Sequence, residues 1–212
     1  MMLSAEITTV LFDMDGVLID SSAAVRAGYS AWAEANGFDA GEVMAVVHGR
    51  RTIEVVLEFG FSGDPEGEAD RLERLIAERA VADNAIEPAC DLYRLLDPER
   101  VAVATSARRE TALSNLRVLG LDHPKVLVTG QDVESGKPSP DPYLLAAREI
   151  GAEPRQCVVV EDAPAGIEAA RSAGCHVVAL TTTHDAGELR GADLVVAPAG
   201  LRGLLAGLLP ST

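Results

Sequence analysis

The chain has 212 residues, of which 18 are basic and 33 acidic, so its formal net charge is −15. That balance argues against a nucleic-acid-binding protein and against attachment to an anionic membrane surface, because both need a basic face. With 48% hydrophobic and 24% charged residues, and no apolar run near the roughly 20 residues of a membrane span, the composition is typical of a globular protein.

Short apolar runs predict six buried strands, at residues 7–12, 101–104, 126–128, 157–160, 176–180 and 194–196. Their continuous rather than alternating apolarity is typical of strands that helices cover on both faces. Helix-like stretches lie between them, for example residues 110–119, which Gly120 would end, and residues 142–150, which Gly151 would end. The alternation predicts an α/β fold with an open, doubly wound, mostly parallel sheet.

Residues 17–87 carry helix periodicity and almost no strand signal. Two apolar stripes, which we interpret as packing surfaces, are formed by Val25, Tyr29 and Trp32, before Gly37, and by Leu72, Leu75, Ile76 and Ala80. The sequence therefore predicts a helical cap domain over residues 17–87, inserted after the first strand into a core domain of residues 1–16 and 88–212. This cap would sit above the carboxyl ends of the strands, where doubly wound sheets bind ligands.

Two carboxylates, those of Asp13 and Asp15, follow the first predicted strand. Gly16 next to them lets the chain turn out of the sheet. Neighbouring carboxylates repel each other and are tolerated when a hard cation or a shared proton compensates. Taken alone, the pattern is as typical of an acid-rich turn as of a functional site.

Polar residues follow three further strands. Thr105 and Ser106 follow the second, Lys137 lies in the stretch after the third, and Glu161 and Asp162 end the fourth. Together with the first acidic pair, they would supply hard oxygen ligands for Mg²⁺ and a cationic clamp for phosphate. Helix caps and surface charges explain each of them separately, but their occurrence at strand ends in this order favours one shared site.

Cysteine and lysine usage give two further indications. The three cysteines (Cys90, Cys157 and Cys175) are widely spaced and odd in number, so we expect neither a disulfide framework nor a structural zinc site. Residues 1–6 lack the pattern of a secretory signal, and the expected location is the cytoplasm.

Only two of the 18 basic residues are lysines, Lys125 and Lys137, which makes each a candidate for a specific task.

The segments DMDGVLIDS, AVATS, SGKPSPDPYL and VVVEDAPAGIEAA resemble the four motifs of the haloacid dehalogenase superfamily of phosphohydrolases. The forms E-D-A-P-A-G, G-K-P-x-P-x-P-Y and H-G-x-x-T are most similar to sugar and polyol phosphatases, such as glycerol-phosphate, 2-deoxyglucose-6-phosphate and hexitol-phosphate phosphatases. The helical insertion resembles the family's C1-type cap. The resemblance implies a Mg²⁺-dependent phosphomonoester hydrolase.

The resemblance also implies a role for each motif residue. Asp13 matches the nucleophile that becomes an aspartyl-phosphate, and Asp15 matches the general acid and base. The residues expected to bind the phosphoryl group are Thr105, Ser106 and Lys137. The expected Mg²⁺ ligands are Asp13, Asp15 through its backbone carbonyl, Asp162 and Glu161.

Substrate choice is expected to come from the cap loop, at His48, Gly49, Arg50 and Arg51. In related phosphatases this loop faces the active site, although the same residues would also suit a solvated helix start. The expected partner is a small phosphorylated sugar or polyol, with no nucleic acid and no membrane, and the chain itself is expected to be a monomer or weak dimer.

Two other functions stay open. A β-phosphoglucomutase-like isomerase would use the same scaffold, but such mutases carry a cap histidine at the position of Val25. A non-catalytic phosphate-binding relative is disfavoured because every motif residue is present. A dehalogenase proper is disfavoured because Asp15 would have no role in carbon–halogen chemistry.

Overall fold

Six strands form a single parallel sheet in the computed structural model, which describes residues 7–78, 84–121 and 124–204. The strands are β1 (Thr9–Phe12), β2 (Val101–Ala104), β3 (Val126–Val128), β4 (Cys157–Glu161), β5 (His176–Leu180) and β6 (Leu194–Val196). Their order is β3-β2-β1-β4-β5-β6, and each neighbouring pair is parallel. The predicted doubly wound sheet is confirmed, and its order reverses between β1 and β4, the crevice in which such sheets bind ligands.

Helices connect the strands and cover the sheet. They are α1 (Ser22–Asn36), α2 (Ala40–Met44), α3 (Thr52–Glu58), α4 (Pro65–Ala77), α5 (Glu87–Leu95), α6 (Arg109–Val118), α7 (Asp141–Ile150), α8 (Pro164–Ser172) and α9 (Pro198–Leu204). Gly151 ends α7 with a φ of 78°, as its position predicts. In the described parts of the chain, no helix has both the length and the apolarity needed to cross a membrane.

Both faces of the sheet are buried from β1 to β5, which explains the continuous apolar runs there. The edge strand β6 is only partly buried, so the prediction of a buried strand at residues 194–196 is wrong in its burial. Val10 and Phe12 of β1 enter the core that contains Leu92 of α5. Leu11, between them, enters the opposite core with Tyr143 of α7. Successive side chains of a strand point to opposite faces, so a strand covered on both sides has to be apolar throughout.

The first strand is shorter than the apolar run predicts. It begins at Thr9 rather than at residue 7, and the backbone N–H of Thr8 donates to Gln156, at the end of the short helical turn before β4. Ile7 is nevertheless buried in the core, so the apolar run marks burial correctly but overstates the strand.

Helices α1 to α4 pack around an apolar cluster of their own. Tyr29, Trp32 and Leu72 are buried in it, and Ile76 packs against it, so both predicted stripes act as packing surfaces. Ala80, the last residue of the second stripe, lies outside the described residues. The boundaries of the cap domain, residues 17–87, stay a prediction.

The two chain segments that lead into and out of this helical segment lie side by side. Ile19 forms an antiparallel bridge with Ala85. The backbone N–H of Ile86 donates to Leu18 at 3.0 Å, and that of Asp20 donates to Asn84 at 2.7 Å. These bonds hold α1 to α4 over the carboxyl ends of β1 and β2.

Candidate active site

Five of the seven predicted strand-end residues line one cavity of about 270 Å³, and the other two, Lys137 and Glu161, are buried and joined to Asp13 through the Lys137 ammonium. The wall of the cavity includes Asp13, Asp15, Thr105, Ser106 and Asp162. They come together because β1 lies between β2 and β4, so that the chain segments leaving these strands are neighbours. The helical segment supplies the opposite wall, from α1, α3, α4 and the loop before α3.

A buried ammonium group joins two of the strand ends. Nζ of Lys137 lies 2.6 Å from Oδ1 of Asp13 and 2.8 Å from Oε1 of Glu161, and all three side chains are almost fully buried. Burial alone would lower the pKa of Lys137, but the two carboxylates raise it above its usual range. Lys137 is therefore charged at every physiological pH.

Glu161 is engaged by groups that favour its charged form. Its Oε1 also accepts a hydrogen bond from the Tyr143 hydroxyl at 2.9 Å, and its Oε2 accepts from the backbone N–H groups of Asp162 and Ala163. Burial acts to raise the pKa of Glu161, but Lys137 and these N–H donors lower it below its usual value. Glu161 is thus a fixed anion that orients Lys137.

The carboxyl groups of Asp13 and Asp162 have fewer stabilising partners for their charged forms than Glu161 has. Burial raises the pKa of Asp13 to about 7, although Lys137 opposes the shift. Burial, followed by the charges of Glu161 and Asp13, raises the pKa of Asp162 well above its usual value. Two carboxyl groups with raised pKa values beside a third carboxylate are expected where a bound cation supplies the missing charge.

The donor set fits a divalent cation. Carboxylate oxygens of Asp13, Glu161 and Asp162 lie within 4.8 Å of one another, and all three residues are buried. Gly16 has a φ of 78°, and a Cβ there would lie 1.9 Å from Oδ2 of Asp162, so a larger residue would displace this carboxylate. Hard oxygen ligands of this kind suit Mg²⁺ or Ca²⁺ and not the softer metals.

Asp15, two residues after Asp13, lies on the cavity wall. Burial raises its pKa, while a hydrogen bond with Ser21 and the charge of Lys137 oppose the shift. The backbone turn is closed by bonds from Gly16 to Ile19 and from Leu18 to Met14. A raised pKa suits a carboxyl group that donates a proton near neutral pH.

The two hydroxyl groups after β2 have different surroundings. Oγ1 of Thr105, which is buried, accepts a hydrogen bond from the backbone N–H of Ala107 at 3.1 Å and leaves its own proton for a ligand. Oγ of Ser106 donates to the backbone carbonyl of Gly49 at 2.7 Å. Ser106 therefore connects the sheet to the loop before α3 as well as lining the cavity.

The predicted substrate loop divides into two parts. His48, Gly49 and Arg50 line the cavity. Arg51 instead points to the loop after β3, where its guanidinium donates to the carbonyls of Gly130, Val133 and Glu134. The structure thus brings three of the four residues to the site and uses Arg51 to hold the helical segment against the sheet.

His48 also faces a residue from the segment that follows β5. Burial lowers its pKa, and the ring of His184, 5.3 Å away, acts in the same direction. Nδ1 of His184 lies 3.0 Å from the backbone carbonyl of Asp162. The two imidazoles therefore link the loop before α3, which lines the cavity, to the segment that follows β5.

Some residues at the cavity carry no prediction from the sequence. They are Thr183, Glu73 and Asn115, which line it, and His184 and Tyr143, which contact Asp162 and Glu161 respectively. Thr183 hydrogen-bonds Asp162, and it follows β5, so the strand-end argument applied to a fifth strand would have found it. Glu73 and Asn115 lie inside helices, and only the packing of those helices brings them to the cavity.

Known proteins resemble this chain over most of its length. A model of the haloacid dehalogenase-like hydrolase family matches residues 7–174. Hexitol phosphatase A of Escherichia coli (strain K12) is 40% identical over 88% of this chain and 88% of its own length. Glycerol-1-phosphate phosphohydrolase 2 of Saccharomyces cerevisiae is 34% identical over 92% and 83%.

Solved structures share the same fold. A hydrolase from Pseudomonas syringae has a TM-score of 0.80 at 33% identity, covering 95% of this chain and 99% of that one. A β-phosphoglucomutase from Clostridium difficile has a TM-score of 0.75 over 92% of each chain. At 20% identity, the second likeness concerns the fold alone.

Proposed function

The chain belongs to the haloacid dehalogenase-like hydrolase family, and on that basis we propose that it releases phosphate from monoesters of small sugars or polyols. The family and the phosphatases among its relatives make it a phosphoric monoester hydrolase. One observation carries the assignment of the reacting group: the carboxylate of Asp13 is buried on the cavity wall, 2.6 Å from the ammonium of Lys137. A carboxylate in that position is held ready for an electrophilic phosphorus.

The proposed reaction has two steps. In the first, a carboxylate oxygen of Asp13 attacks phosphorus while the bond from phosphorus to the ester oxygen breaks, and Asp15 gives its proton to the departing alkoxide. In the second, Asp15 takes a proton from water, the water oxygen attacks phosphorus, and the bond to Asp13 breaks. Inorganic phosphate and the sugar or polyol leave, and both carboxyl groups return to their first states.

Lys137 and Thr105 would hold the phosphoryl oxygens during both steps. Lys137 is fixed by Glu161, so its position does not depend on the substrate. Thr105 has a free hydroxyl proton on the cavity wall. Fixed donors of this kind stabilise the charge that develops on the transferred group, with little reorganisation during the reaction.

Phosphatases of this family generally use a divalent metal, and the cluster of Asp13, Glu161 and Asp162 fits one. We propose that the metal is Mg²⁺, held by Asp13, Asp162 and the backbone carbonyl of Asp15, with Glu161 as a direct or outer ligand. When bound, it would neutralise the carboxylates and the phosphoryl oxygens, which favours the ionised form of Asp13.

The helical segment is proposed to act as a cap that excludes bulk water during phosphoryl transfer. Its residues form one wall of a cavity of about 270 Å³, a size that suits small molecules and not phosphoproteins. The predicted location in the cytoplasm and the predicted monomer or weak dimer are likewise proposals.

An isomerase of the β-phosphoglucomutase type is the second candidate. Val25 lines the cavity at the position where such mutases carry a histidine, and an isopropyl group has no proton to transfer. This difference disfavours the isomerase. Conversion of β-glucose 1-phosphate to glucose 6-phosphate faster than phosphate release would support it instead.

The test is phosphate release from glycerol phosphates and hexitol phosphates by the wild type and by Asp13→Asn, with and without Mg²⁺. We expect the wild type to be active only with a divalent cation, and Asp13→Asn to lose activity by a factor of at least about 10³. Asp91→Asn, which changes an exposed aspartate paired with Arg94, is the matched control and keeps full activity. Equal activity of Asp13→Asn and the wild type would disprove the nucleophile assignment.

A further inference from the structure

A strip of polar side chains crosses the cavity wall beyond the acidic cluster. Thr111 and Asn115 lie four residues apart on α6 and therefore share one face of that helix. Glu73 of α4 packs against the same face, with Oε2 3.4 Å from Oγ1 of Thr111. All three residues line the cavity. Nδ2 of Asn115 contacts the sulfur of Met14, the residue that follows Asp13 in the sequence.

One atom of this strip has an unmet hydrogen-bonding requirement. Among the residues that the structure describes, none donates a hydrogen bond to the buried Oδ1 of Asn115, and Asn115 is only 4% exposed. Buried polar atoms are nearly always paired, and an unpaired one needs an explanation. Because Asn115 lies on the wall of a cavity next to the reacting groups, a hydroxyl of a bound ligand is a donor that would pair with it.

The second acceptor is a buried carboxylate that accepts hydrogen bonds from one backbone N–H and from the hydroxyls of Thr52 and Thr111. Glu73 is 6% exposed, and its Oε2 accepts a hydrogen bond from the backbone N–H of Arg108 at 2.9 Å. The guanidinium of Arg108 is directed elsewhere, to Glu66 and Asp70. Burial raises the pKa of Glu73, although Arg108 and a hydrogen bond with Thr52 oppose the shift. A carboxylate in these surroundings gains from any further hydrogen-bond donor.

The same wall offers little to an anionic group. Among the cavity-lining residues that the structure describes, Arg50 is the only lysine or arginine, and its Nη1 is bonded to Glu58 at 2.6 Å. A carboxylate or second phosphate placed near Glu73 would meet a negative charge with no free cation beside it. Such a juxtaposition of like charges is unfavourable and disfavours the binding of anionic ligands.

We propose that Glu73 and Asn115 form a hydroxyl subsite, which accepts hydrogen bonds from the carbon chain of the substrate. The enzyme would thereby select phosphate monoesters whose remainder is neutral and hydroxylated, and reject those that carry a carboxylate or a second phosphate. This inference rests on the proposed function, since it names the substrates of the same site.

The experiment compares kcat/KM for sorbitol 6-phosphate, phosphoglycolate and fructose 1,6-bisphosphate. In the wild type we expect the hexitol monophosphate to be preferred. Glu73→Gln keeps the size of the side chain but removes its charge, and we expect the ratio of sorbitol 6-phosphate to phosphoglycolate to fall by about 10- to 100-fold. An equal loss for both substrates would overturn the proposal.

Two further variants separate recognition from packing. Glu66→Gln removes a carboxylate from the same helix that pairs with the same Arg108 outside the cavity, and we expect it to change the ratio less than about twofold. Asn115→Leu removes the unpaired acceptor, and we expect it to lower kcat/KM for sorbitol 6-phosphate and not for phosphoglycolate. A large effect of Glu66→Gln, or none of Asn115→Leu, would contradict the subsite.

Dissociation constants provide a readout that does not need turnover. Two proteins are titrated with sorbitol 6-phosphate and with phosphoglycolate. One carries Asp13→Asn alone, and the other carries Asp13→Asn together with Glu73→Gln. The second substitution should reduce the preference for sorbitol 6-phosphate by about tenfold. Absence of phosphate release by the wild type from any ester would refute the proposed function, and the binding preference would then decide the subsite by itself.

Discussion

The ammonium nitrogen of Lys137 lies 2.6 Å from a carboxylate oxygen of Asp13, although 124 positions separate the two residues. The same nitrogen lies 2.8 Å from Glu161 and 5.0 Å from the ring centre of Tyr143. One buried cation thus holds the ends of β1 and β4 in register with the loop after β3. In a chain with 33 acidic residues and two lysines, the site depends on where this single lysine is placed.

Replacing Lys137 is predicted to destabilise the protein more at high pH than at low pH. Lys137→Met leaves Asp13 and Glu161 buried without their cation, and breaking a buried pair in this way costs about 3–5 kcal/mol. Without the ammonium, the pKa values of both carboxyl groups rise, so that more of the two groups is charged at pH 8 than at pH 5.5. Urea unfolding at the two pH values measures the difference.

The other lysine is the control for this experiment. Lys125 is half exposed and pairs with Glu99 at the surface, so Lys125→Met should change the free energy of unfolding by less than about 0.5 kcal/mol. A cost for Lys137→Met that is the same at pH 5.5 and 8 would show that the lost packing of its stem matters more than its charge.

The sheet and its reactive edge can be predicted from the sequence because both depend on local patterns. An apolar run identifies a strand that is buried on both faces, and the polar residue that follows it marks the carboxyl end, as at Asp13 and Thr105. Lys137 was found in a different way, through its rarity and its motif. In each case the signal lies within a few residues of the group that it identifies.

Residues that act through tertiary packing have no such local signal. Glu73 lies in a helix with an ordinary amphipathic pattern, and it reaches the cavity only because α4 packs against α6. Arg51 belongs to the predicted substrate loop, yet its guanidinium reaches carbonyls about 80 positions further along the chain. A sequence pattern shows that these side chains are polar but not which neighbour they meet.

Asp162→Asn is predicted to stabilise the metal-free protein. The folded state holds the proton of Asp162 more tightly than the unfolded chain does, because the pKa of this carboxyl is raised. The wild type therefore loses stability as the pH rises above about 4, the usual pKa of an aspartate. The variant has no such proton, so its advantage in free energy of unfolding should be larger at pH 8 than at pH 5, by on the order of 1 kcal/mol.

Addition of Mg²⁺ should reverse the order of the two proteins. A cation that binds only the folded state raises its stability in proportion to the logarithm of the cation concentration. The wild type should gain several degrees in Tm, and Asp162→Asn should gain much less. Both proteins are first stripped of metal with EDTA, which is then removed, and Mg²⁺ is added. An equal gain in Tm for the two proteins would show that the cation binds elsewhere.

Asp15→Asn is predicted to trap the reaction at the covalent stage when the leaving group is good. p-Nitrophenolate departs without a proton, so the first step should proceed, whereas the second step lacks the base that activates water. Rapid mixing with p-nitrophenyl phosphate should then show a burst of about one nitrophenol per enzyme, followed by slow turnover. With glycerol 1-phosphate, whose alkoxide needs a proton, both steps should slow by about 10²–10⁴-fold.

The absence of a burst would have two distinguishable meanings. If Asp15→Asn retains full turnover on both esters, Asp15 is not the acid or the base. If it loses activity equally on both and shows no burst, the substitution has affected the first step, for example through the turn at Gly16 that positions Asp13. Mass spectrometry of the quenched enzyme would detect the phosphorylated chain directly.

Arg51→Met is predicted to impair every substrate by a similar factor. Arg51 donates to three carbonyls of the loop at residues 130–134 and pairs with Glu54, so its loss frees the helical segment from that loop. Closure of the cavity should then become less favourable by about 1–3 kcal/mol, which lowers kcat/KM about 5- to 100-fold for sugar and aryl phosphates alike. Faster amide exchange at residues 130–136 should accompany the loss.

Arg50→Met is the matched comparison, because Arg50 is the adjacent residue and does line the cavity. Its partner Glu58 is exposed, so the substitution should leave the contact between the helical segment and the sheet intact. We expect it to change the ratio of kcat/KM between sorbitol 6-phosphate and p-nitrophenyl phosphate, with little effect on exchange at residues 130–136. If Arg51→Met changes that ratio as strongly as Arg50→Met, then Arg51 reaches the substrate in the working enzyme, and its bonds to the loop after β3 are exchanged during the reaction.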